Sequence, residues 1–361
     1  MNNDAKIILI TVTILIMLGI VMIYSSSAVY SYIKYDDSAF FIKKQMLYLA
    51  VAISFMVLGM SLPVNGIKEH ARGLLVFFIL LLIAVLIPSI GREIGGARRW
   101  IRFFGFGFQP SEMVKLGLII YLSDFISRKR WMLRDLRLGF LPPLFVIFLV
   151  SAIVLLEPDM GASVTIAFMG ILMLFAAGAK KKHLVLSITP MLPIVYFLVK
   201  WEPYRLKRIL TFANPWADSQ GAGFQLIQSF IALGSGGIFG VGLGESRQKL
   251  FYLPEAHTDF VFSIIGEELG FLGALAVILL FLVLIWFSFR LSFKVQEKFR
   301  SNLVFGISLM IAIEVVVNIG VSLGILPTKG LPLPFLSYGG SSLVCHCLAV
   351  GLMLNVSREA D

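Results

Sequence analysis

Long apolar runs set off by short polar turns divide the chain almost from end to end. They fall at 7–27, 45–62, 73–90, 111–127, 139–156, 160–179, 184–199, 261–289, 301–324 and 339–355. Each approaches the roughly 20 apolar residues an α-helix needs to cross a hydrocarbon core about 30 Å thick. The pattern predicts an all-α polytopic membrane protein with ten transmembrane helices, a single transmembrane domain over 1–361, and both termini on one side. Only Glu157, Pro158 and Asp159 separate the fifth and sixth runs, so these two form a tight helical hairpin. Between the seventh and eighth runs the apolar pattern breaks over residues 200–260, which leaves one long extracytoplasmic loop. Ile7 to Tyr24 exceeds the apolar core of a usual leader and is followed by further spans; it reads as the first transmembrane helix, not as a cleaved signal peptide.

Composition agrees with the pattern. With 58% hydrophobic and 14% charged residues, the chain is no soluble enzyme on a single anchor. A net charge of +10 then raises the question of sides. Arg128, Lys129, Arg130, Arg134 and Arg137 share one short loop, Lys180 to Lys182 another, and Arg290, Lys294, Lys298 and Arg300 a third. Parity puts all three on the side of the termini, with Lys6, Lys68, Arg72 and Arg358, and this side is cytoplasmic. Arg92, Arg98, Arg99 and Arg102 nevertheless crowd a short outer loop, against the orientation bias. Lys200, Arg205, Lys207, Arg208, Arg247 and Lys249 add to them in the long one. Guanidinium forks held outside suit an anionic ligand such as a phosphate or pyrophosphate.

The long loop has its own organisation. Trp201, Tyr204, Arg205 and Arg208 interleave aromatic and basic groups before a helical stretch from Phe224 to Leu233 and a glycine run from Gly234 to Gly244. The amphipathic pattern predicts an ordered piece at the membrane interface. An outer loop meets no nucleic acid. The glycines have no βαβ unit around them, so they read as close packing or a hinge and not as a phosphate cradle.

Candidate chemistry follows the glycines. In Pro254-Glu255-Ala256-His257-Thr258-Asp259-Phe260, three ionisable side chains stand where a loop meets the bilayer. Thr258 or Asp259 can cap the helix that follows; alternatively, a carboxylate in this reduced dielectric gains proton affinity and serves as a general base. Inside the spans, Glu112 and Lys115 are three apart and either pair with one another or line a polar cavity beneath the arginines. Glu314 and Asn318 share a face and need a partner on another helix, and Glu267 and Glu268 lie near the outer end of the eighth span. His346, between Cys345 and Cys347, cannot converge with them on one metal and reads as packing; the two cysteines face apart and form no disulfide.

Several motifs in order make the chain similar to a known family. Gly96-Ala97-Arg98-Arg99-Trp100-Ile101, Gln109-Pro110-Ser111-Glu112 with Lys115, Glu157-Pro158-Asp159-Met160-Gly161, Asn214-Pro215-Trp216, the stretch from Pro254 to Phe260 and Leu331-Pro332-Leu333-Pro334-Phe335-Leu336-Ser337-Tyr338-Gly339-Gly340-Ser341-Ser342 resemble the SEDS family (shape, elongation, division and sporulation). Thr328-Lys329-Gly330-Leu331-Pro332 and Asp218-Ser219-Gln220-Gly221 look more like its division and sporulation branch. The resemblance implies a peptidoglycan glycosyltransferase of the cytoplasmic membrane, acting at the division septum. It polymerises lipid II, a disaccharide-pentapeptide on undecaprenyl pyrophosphate, at the outer face.

By the same resemblance Asp259 deprotonates the acceptor sugar's 4-hydroxyl as it attacks the donor's anomeric carbon with inversion. Arg98, Arg99, Lys115, Arg205 and Arg208 would stabilise the leaving pyrophosphate. A divalent cation such as Mg²⁺ would share that role, although the sequence shows no closed ligand set. Trp100 is either a platform for sugar or lipid or an interfacial anchor. Glu112, Glu255, His257 and Thr258 join the substrate site, and Lys329, Ser341 and Ser342 close it. The implied partners are a class B penicillin-binding protein, which crosslinks the strand, and other membrane proteins of the division machinery. Two rival readings are a lipid II flippase and a non-catalytic division scaffold. A flippase needs polar groups through the full membrane depth, whereas these cluster at the outer edge, and a scaffold does not need Asp259.

Overall fold

The computed structural model describes residues 2–94, 97–103, 106–189, 193, 196–197, 200, 203–221, 223–249 and 253–359. Its helices are α1 (Asn3–Tyr35), α2 (Phe40–Ser61), a short α3 (Val64–Glu69), α4 (Ala71–Leu86), α5 (Pro110–Lys129), α6 (Leu141–Leu156), α7 (Met160–Ala176) and α8 (Lys181–Ile188). After them come α9 (Pro203–Ala213), α10 (Phe224–Ser235), α11 (Val261–Lys294), α12 (Lys298–Ser322) and α13 (Gly340–Val356). Described helices occupy nine of the ten predicted runs. Of the seventh, 184–199, α8 covers the start and most of the rest lies outside the described residues. Long apolar helices of this kind satisfy their own backbone, which is what permits them in lipid.

Residues that parity placed on one side of the bilayer do meet. On the inner side Asp4 pairs with Lys294, and Lys68 Nζ lies 2.9 Å from Glu297 Oε1. On the outer side Arg99 Nη1 lies 3.2 Å from Asp159 Oδ2, and the rings of Phe41 and His257 are 4.8 Å apart. The hairpin of α6 and α7 turns on Glu157 to Asp159 as predicted, with Asp159 Oδ1 accepting from the Ala162 N–H at 2.9 Å to cap α7. Where α2 crosses α13, Gly59 and Gly351 let the backbones touch. A Cβ at Gly59 would stand 2.8 Å from the Leu348 carbonyl, and one at Gly351 2.2 Å from that of Met56.

Two outer elements position the site. The short outer loop contains what the all-α expectation did not include, a three-stranded antiparallel sheet: β1 (Gly91–Ile94), β2 (Ala97–Phe103) and β3 (Phe106–Phe108), with Arg92 opposite Trp100 and Ile101 opposite Phe108. The glycine run packs against α11 where Gly270 leaves the helical conformation at φ 69°. The break frees backbone groups, and the run satisfies them. Val241 and Gly242 N–H donate to the carbonyls of Glu267 and Glu268 at 3.0 Å, while Phe271 and Leu272 N–H donate to those of Gly237 and Ile238. Gly240, at φ 82°, sits so close that a Cβ would meet the Glu268 carbonyl at 2.2 Å.

Candidate active site

Asp259 ends the turn that leads into α11. The N-cap position is Phe260 and makes no side-chain cap, so neither Thr258 nor Asp259 caps this helix. The carbonyl of Glu255, a residue held at φ 56°, instead accepts from the N–H groups of Thr258 and Asp259, both at 3.1 Å, and winds the segment into a tight turn. Three successive carbonyls then fix its direction. That of His257 accepts from Tyr338 N–H at 2.9 Å, that of Thr258 from the Ser337 hydroxyl, and that of Asp259 from Asn318 Nδ2 at 2.9 Å. The same Asn318 amide donates to the Leu331 carbonyl at 2.7 Å, so one side chain of α12 holds both strands of the site. Gly330 lies against the carboxylate: a Cβ there would come within 3.1 Å of Asp259 Oδ2.

The surroundings set the carboxylate's proton affinity. Burial pushes the Asp259 carboxyl up to about 7, with the Glu255 carboxylate adding to the effect while the cations Arg208 and Arg99 oppose it. Glu157 is pushed up to about 8 by burial and by Asp159 beside it. The Lys329 ammonium is held below its ordinary value by burial, against the pull of Asp159, and its Cβ and Cδ lie over Gly161 at the start of α7. His257 is likewise lowered by burial and stands among the rings of Tyr30, Phe41 and Tyr338 at 4.8–5.9 Å between centroids. Glu255 Oε2 accepts from the Thr258 hydroxyl at 2.9 Å.

The structure distributes the remaining predicted residues differently. Arg99 is a staple between β2 and the turn joining α6 and α7: Nε donates to the Glu157 carbonyl at 3.0 Å, Nη2 to that of Pro158 at 2.6 Å, and Nη1 pairs with Asp159. Arg98 pairs with Glu93 across the hairpin at 3.5 Å, and Trp100 lies over Gly107 of β3. Arg208 Nη1 donates to the Thr328 carbonyl at 3.2 Å. Arg205 lies in α9, and its side chain is outside the described residues. Ser341 joins α13 to β3, donating to the Gly107 carbonyl at 3.1 Å and accepting from Gln109 N–H at 3.0 Å; Ser342 Oγ lies 3.3 Å from His346 Nδ1.

Glu112 and Lys115 do pair, at 2.9 Å, but in a wider buried network and not along an open cavity. Lys115 also binds Glu314 of α12, and His346 Nε2 lies 2.7 Å from Glu314 Oε2. The reading of His346 as mere packing is therefore corrected: it is the fourth member of an ionic cluster joining α5, α12 and α13. Nothing local announced this, because Glu314 is on another helix. Glu267 and Glu268 likewise serve the outer loop, Glu267 accepting from Ser246 and Arg247 and Glu268 from Lys249 and Ser25. Among the described residues no three His, Cys, Asp or Glu side chains converge to hold a metal ion.

A bundle of apolar spans carrying a carboxylate among cations at its outer rim defines a polytopic membrane protein with an outward-facing charged site. The chain belongs to the FtsW/RodA/SpoVE family of cell cycle proteins, whose pattern matches residues 5–361. A probable peptidoglycan glycosyltransferase FtsW of Trichlorobacter lovleyi is 46% identical over 97% of this chain and 92% of its own length. Stage V sporulation protein E of Bacillus subtilis is 44% identical over 99% and 98%. Among solved structures, a chain from work on structural coordination of polymerization and crosslinking by a peptidoglycan synthase complex superposes with a TM-score of 0.79. It shares 30% identity and covers 98% of this chain and 97% of its own. The rod shape determining protein RodA of Thermus thermophilus gives 0.70 at 27% identity, over 97% and 95%.

Proposed function

We propose that this chain is a peptidoglycan glycosyltransferase that polymerises lipid II at the outer face of the cytoplasmic membrane, with Asp259 as general base. The acceptor's 4-hydroxyl gives its proton to the Asp259 carboxylate while its oxygen bonds to the donor's anomeric carbon. The bond from that carbon to the pyrophosphate oxygen breaks, and undecaprenyl pyrophosphate leaves as an anion. No acid need protonate that leaving group. Arg208, whose charge reaches the Asp259 carboxyl, is the cation placed to take up the developing charge, while Arg99 holds the turn that carries Asp159. The observation that carries the reading is the placement of Asp259: its backbone is fixed from α12 and the loop before α13, and its carboxyl is tuned to about 7 beside cations. Purified protein incubated with labelled lipid II is expected to yield glycan polymer; lipid II left intact under conditions where the fold is stable overturns the proposal.

The relatives named as peptidoglycan glycosyltransferases and the match to a synthase complex in which polymerization and crosslinking are coordinated support this reading. They also support a class B penicillin-binding protein as partner. Septal action follows the division and sporulation relatives.

Two outcomes follow from the geometry. The base works ionised, so below pH 7 the competent fraction drops about tenfold per unit, and kcat/KM climbs from pH 5 to a plateau in the alkaline range. Since the Glu255 carboxylate raises Asp259, Glu255→Gln moves the inflection to lower pH. Initial rates across pH measure both, and a flat profile contradicts them. Asn318→Leu frees the Asp259 and Leu331 carbonyls together. A shift of about 1 Å in the carboxylate costs on the order of 10²-fold in rate. Polymerisation is expected to fall by that factor with the melting temperature only modestly lowered; an unchanged rate would mean that Ser337 and Tyr338 suffice.

A further inference from the structure

On the outer side, α9, the turn after it and the start of α10 border a half-open cavity of about 290 Å³. Lys207, Arg208, Gln220, Phe224, Gln225 and Thr328 line it, and of these only Arg208 belongs to the expected site. The walls are held in place. Lys207 Nζ lies 2.8 Å from Asp218 Oδ2, tying α9 to the turn, and Arg208 ties α9 to the Thr328 carbonyl. Gly221 and Gly223 press onto that turn, where a Cβ would come within 2.4 Å of Asp218 Oδ1 and 2.1 Å of the Pro215 carbonyl. Below it, Ser229 of α10 lies 2.6 Å from Ser263 Oγ of α11 and donates to the Ser322 carbonyl at 2.7 Å.

The lining narrows the ligand class. Two carboxamides, each both donor and acceptor, stand beside an aromatic ring and a hydroxyl. A bare phosphate offers acceptors alone and would face the glutamine oxygens unfavourably, and Asp218 offsets the charge of Lys207. An N-acetylated sugar matches the set: its acetamido and hydroxyl groups both give and take hydrogen bonds, and its C–H face suits the Phe224 ring. The volume lies at the small end of ligand pockets, which run from about 300 to 1,000 Å³, and so suits one sugar unit and not a whole substrate.

Its position completes the argument. Thr328 is two residues from Gly330, where a Cβ would meet the Asp259 carboxylate at 3.1 Å, and Pro254, which also lines the cavity, opens the Asp259 turn. Two extended residues span at most about 7 Å, so the Thr328 wall of the cavity stands within about 7 Å, along the chain, of the glycine beside the base, a gap that a neighbouring sugar can bridge. We propose that this cavity is a saccharide subsite, binding an N-acetylated sugar one unit removed from the bond that forms at Asp259. The inference rests on the glycosyltransferase reading and specifies where the neighbouring sugar of lipid II or of the growing strand sits.

The test uses the full chain with soluble β-1,4-linked N-acetylglucosamine tetramer, observed by saturation-transfer NMR. The tetramer's acetamido methyls are expected to saturate with wild type and with Asp259→Asn, and to lose most of the effect in Phe224→Ala and Gln220→Ala/Gln225→Ala. With lipid II, the same variants should raise KM about fivefold, the loss of about one neutral hydrogen bond. Where the growing strand is the occupant they leave the first coupling intact and shorten the polymer by a similar factor. Gln220→Trp fills the cavity from an exposed position without removing a packed group and should give the same losses, which separates occupancy from misfolding. Unchanged tetramer binding, KM and polymer length in all three variants overturn the subsite while leaving the enzyme reading intact. Normal polymerisation by Asp259→Asn would instead overturn the reading beneath it.

Discussion

Asp259→Asn is expected to reduce polymerisation of lipid II by about 10²–10⁴-fold, the usual contribution of a positioned general base, while leaving the fold in place. The amide is nearly the shape of the carboxyl, and the residue's structural bonds come from its backbone, through Asn318 Nδ2 and Glu255 O. Neither needs the side chain to be ionised, so thermal unfolding in detergent should match wild type within a few degrees. The variant also removes a partly buried carboxyl whose ionisation is resisted by its surroundings, so unfolding should become less dependent on pH. The sign can be stated. A carboxyl held up to about 7 in the fold destabilises the protein as pH rises from the unfolded carboxylate range through 7. The asparagine variant should therefore be relatively more stable than wild type at pH 8 than at pH 5. Glu157, held up to about 8, contributes in the same direction and is the control that remains in both proteins. A glycan product in normal yield from Asp259→Asn would mean that another group accepts the proton.

The sequence revealed what depends on local spacing. Apolar runs placed the spans, three polar residues made the hairpin between α6 and α7, and the i, i+3 spacing offered, as one of two readings, the pairing of Glu112 with Lys115 that the structure contains. Asn318 and Glu314 were legible as groups in need of partners, since neither is tolerated alone at membrane depth. The partners themselves were not legible, because nothing in the order of residues places the Asp259 turn or Lys115 beside α12. The same limit explains Arg99. Its presence outside, against the charge bias, marked it as functional, but its three contacts lie 58 to 60 residues away in a turn whose carbonyls look unremarkable in sequence. The sheet in the short outer loop went unseen for a different reason. Its strands are brief and interrupted by glycines, and it is anchored by Tyr48 and Ser341, from two separate spans. The cavity between α9 and α10 depends on Arg208 of α9 reaching the Thr328 carbonyl 120 residues away, a contact with no local signal.

Lys115→Met is expected to be the most destabilising single change in the spans. Lys115 is 2% exposed and is the ammonium shared by Glu112 and Glu314, themselves only 4% and 2% exposed. Removing it leaves two carboxylates in a low-dielectric interior, with His346 the remaining partner and only beside Glu314. Breaking a buried pair in this way costs about 3–5 kcal/mol, mostly from the uncompensated charge and not from the lost attraction. The comparison that isolates the cause is a triple variant, Glu112→Gln/Lys115→Met/Glu314→Gln. With all three charges gone the desolvation penalty goes too, so its stability should return most of the way to wild type. A further exchange of His346→Met in the triple background should then change little, whereas His346→Met in the intact protein strips Glu314 of one partner and lowers stability. Denaturation in detergent, followed by the same probe for wild type and all four variants, gives the coupling energies. If Lys115→Met and the triple variant unfold alike, the cluster is held by packing among α5, α12 and α13, and its charges are incidental to the bundle.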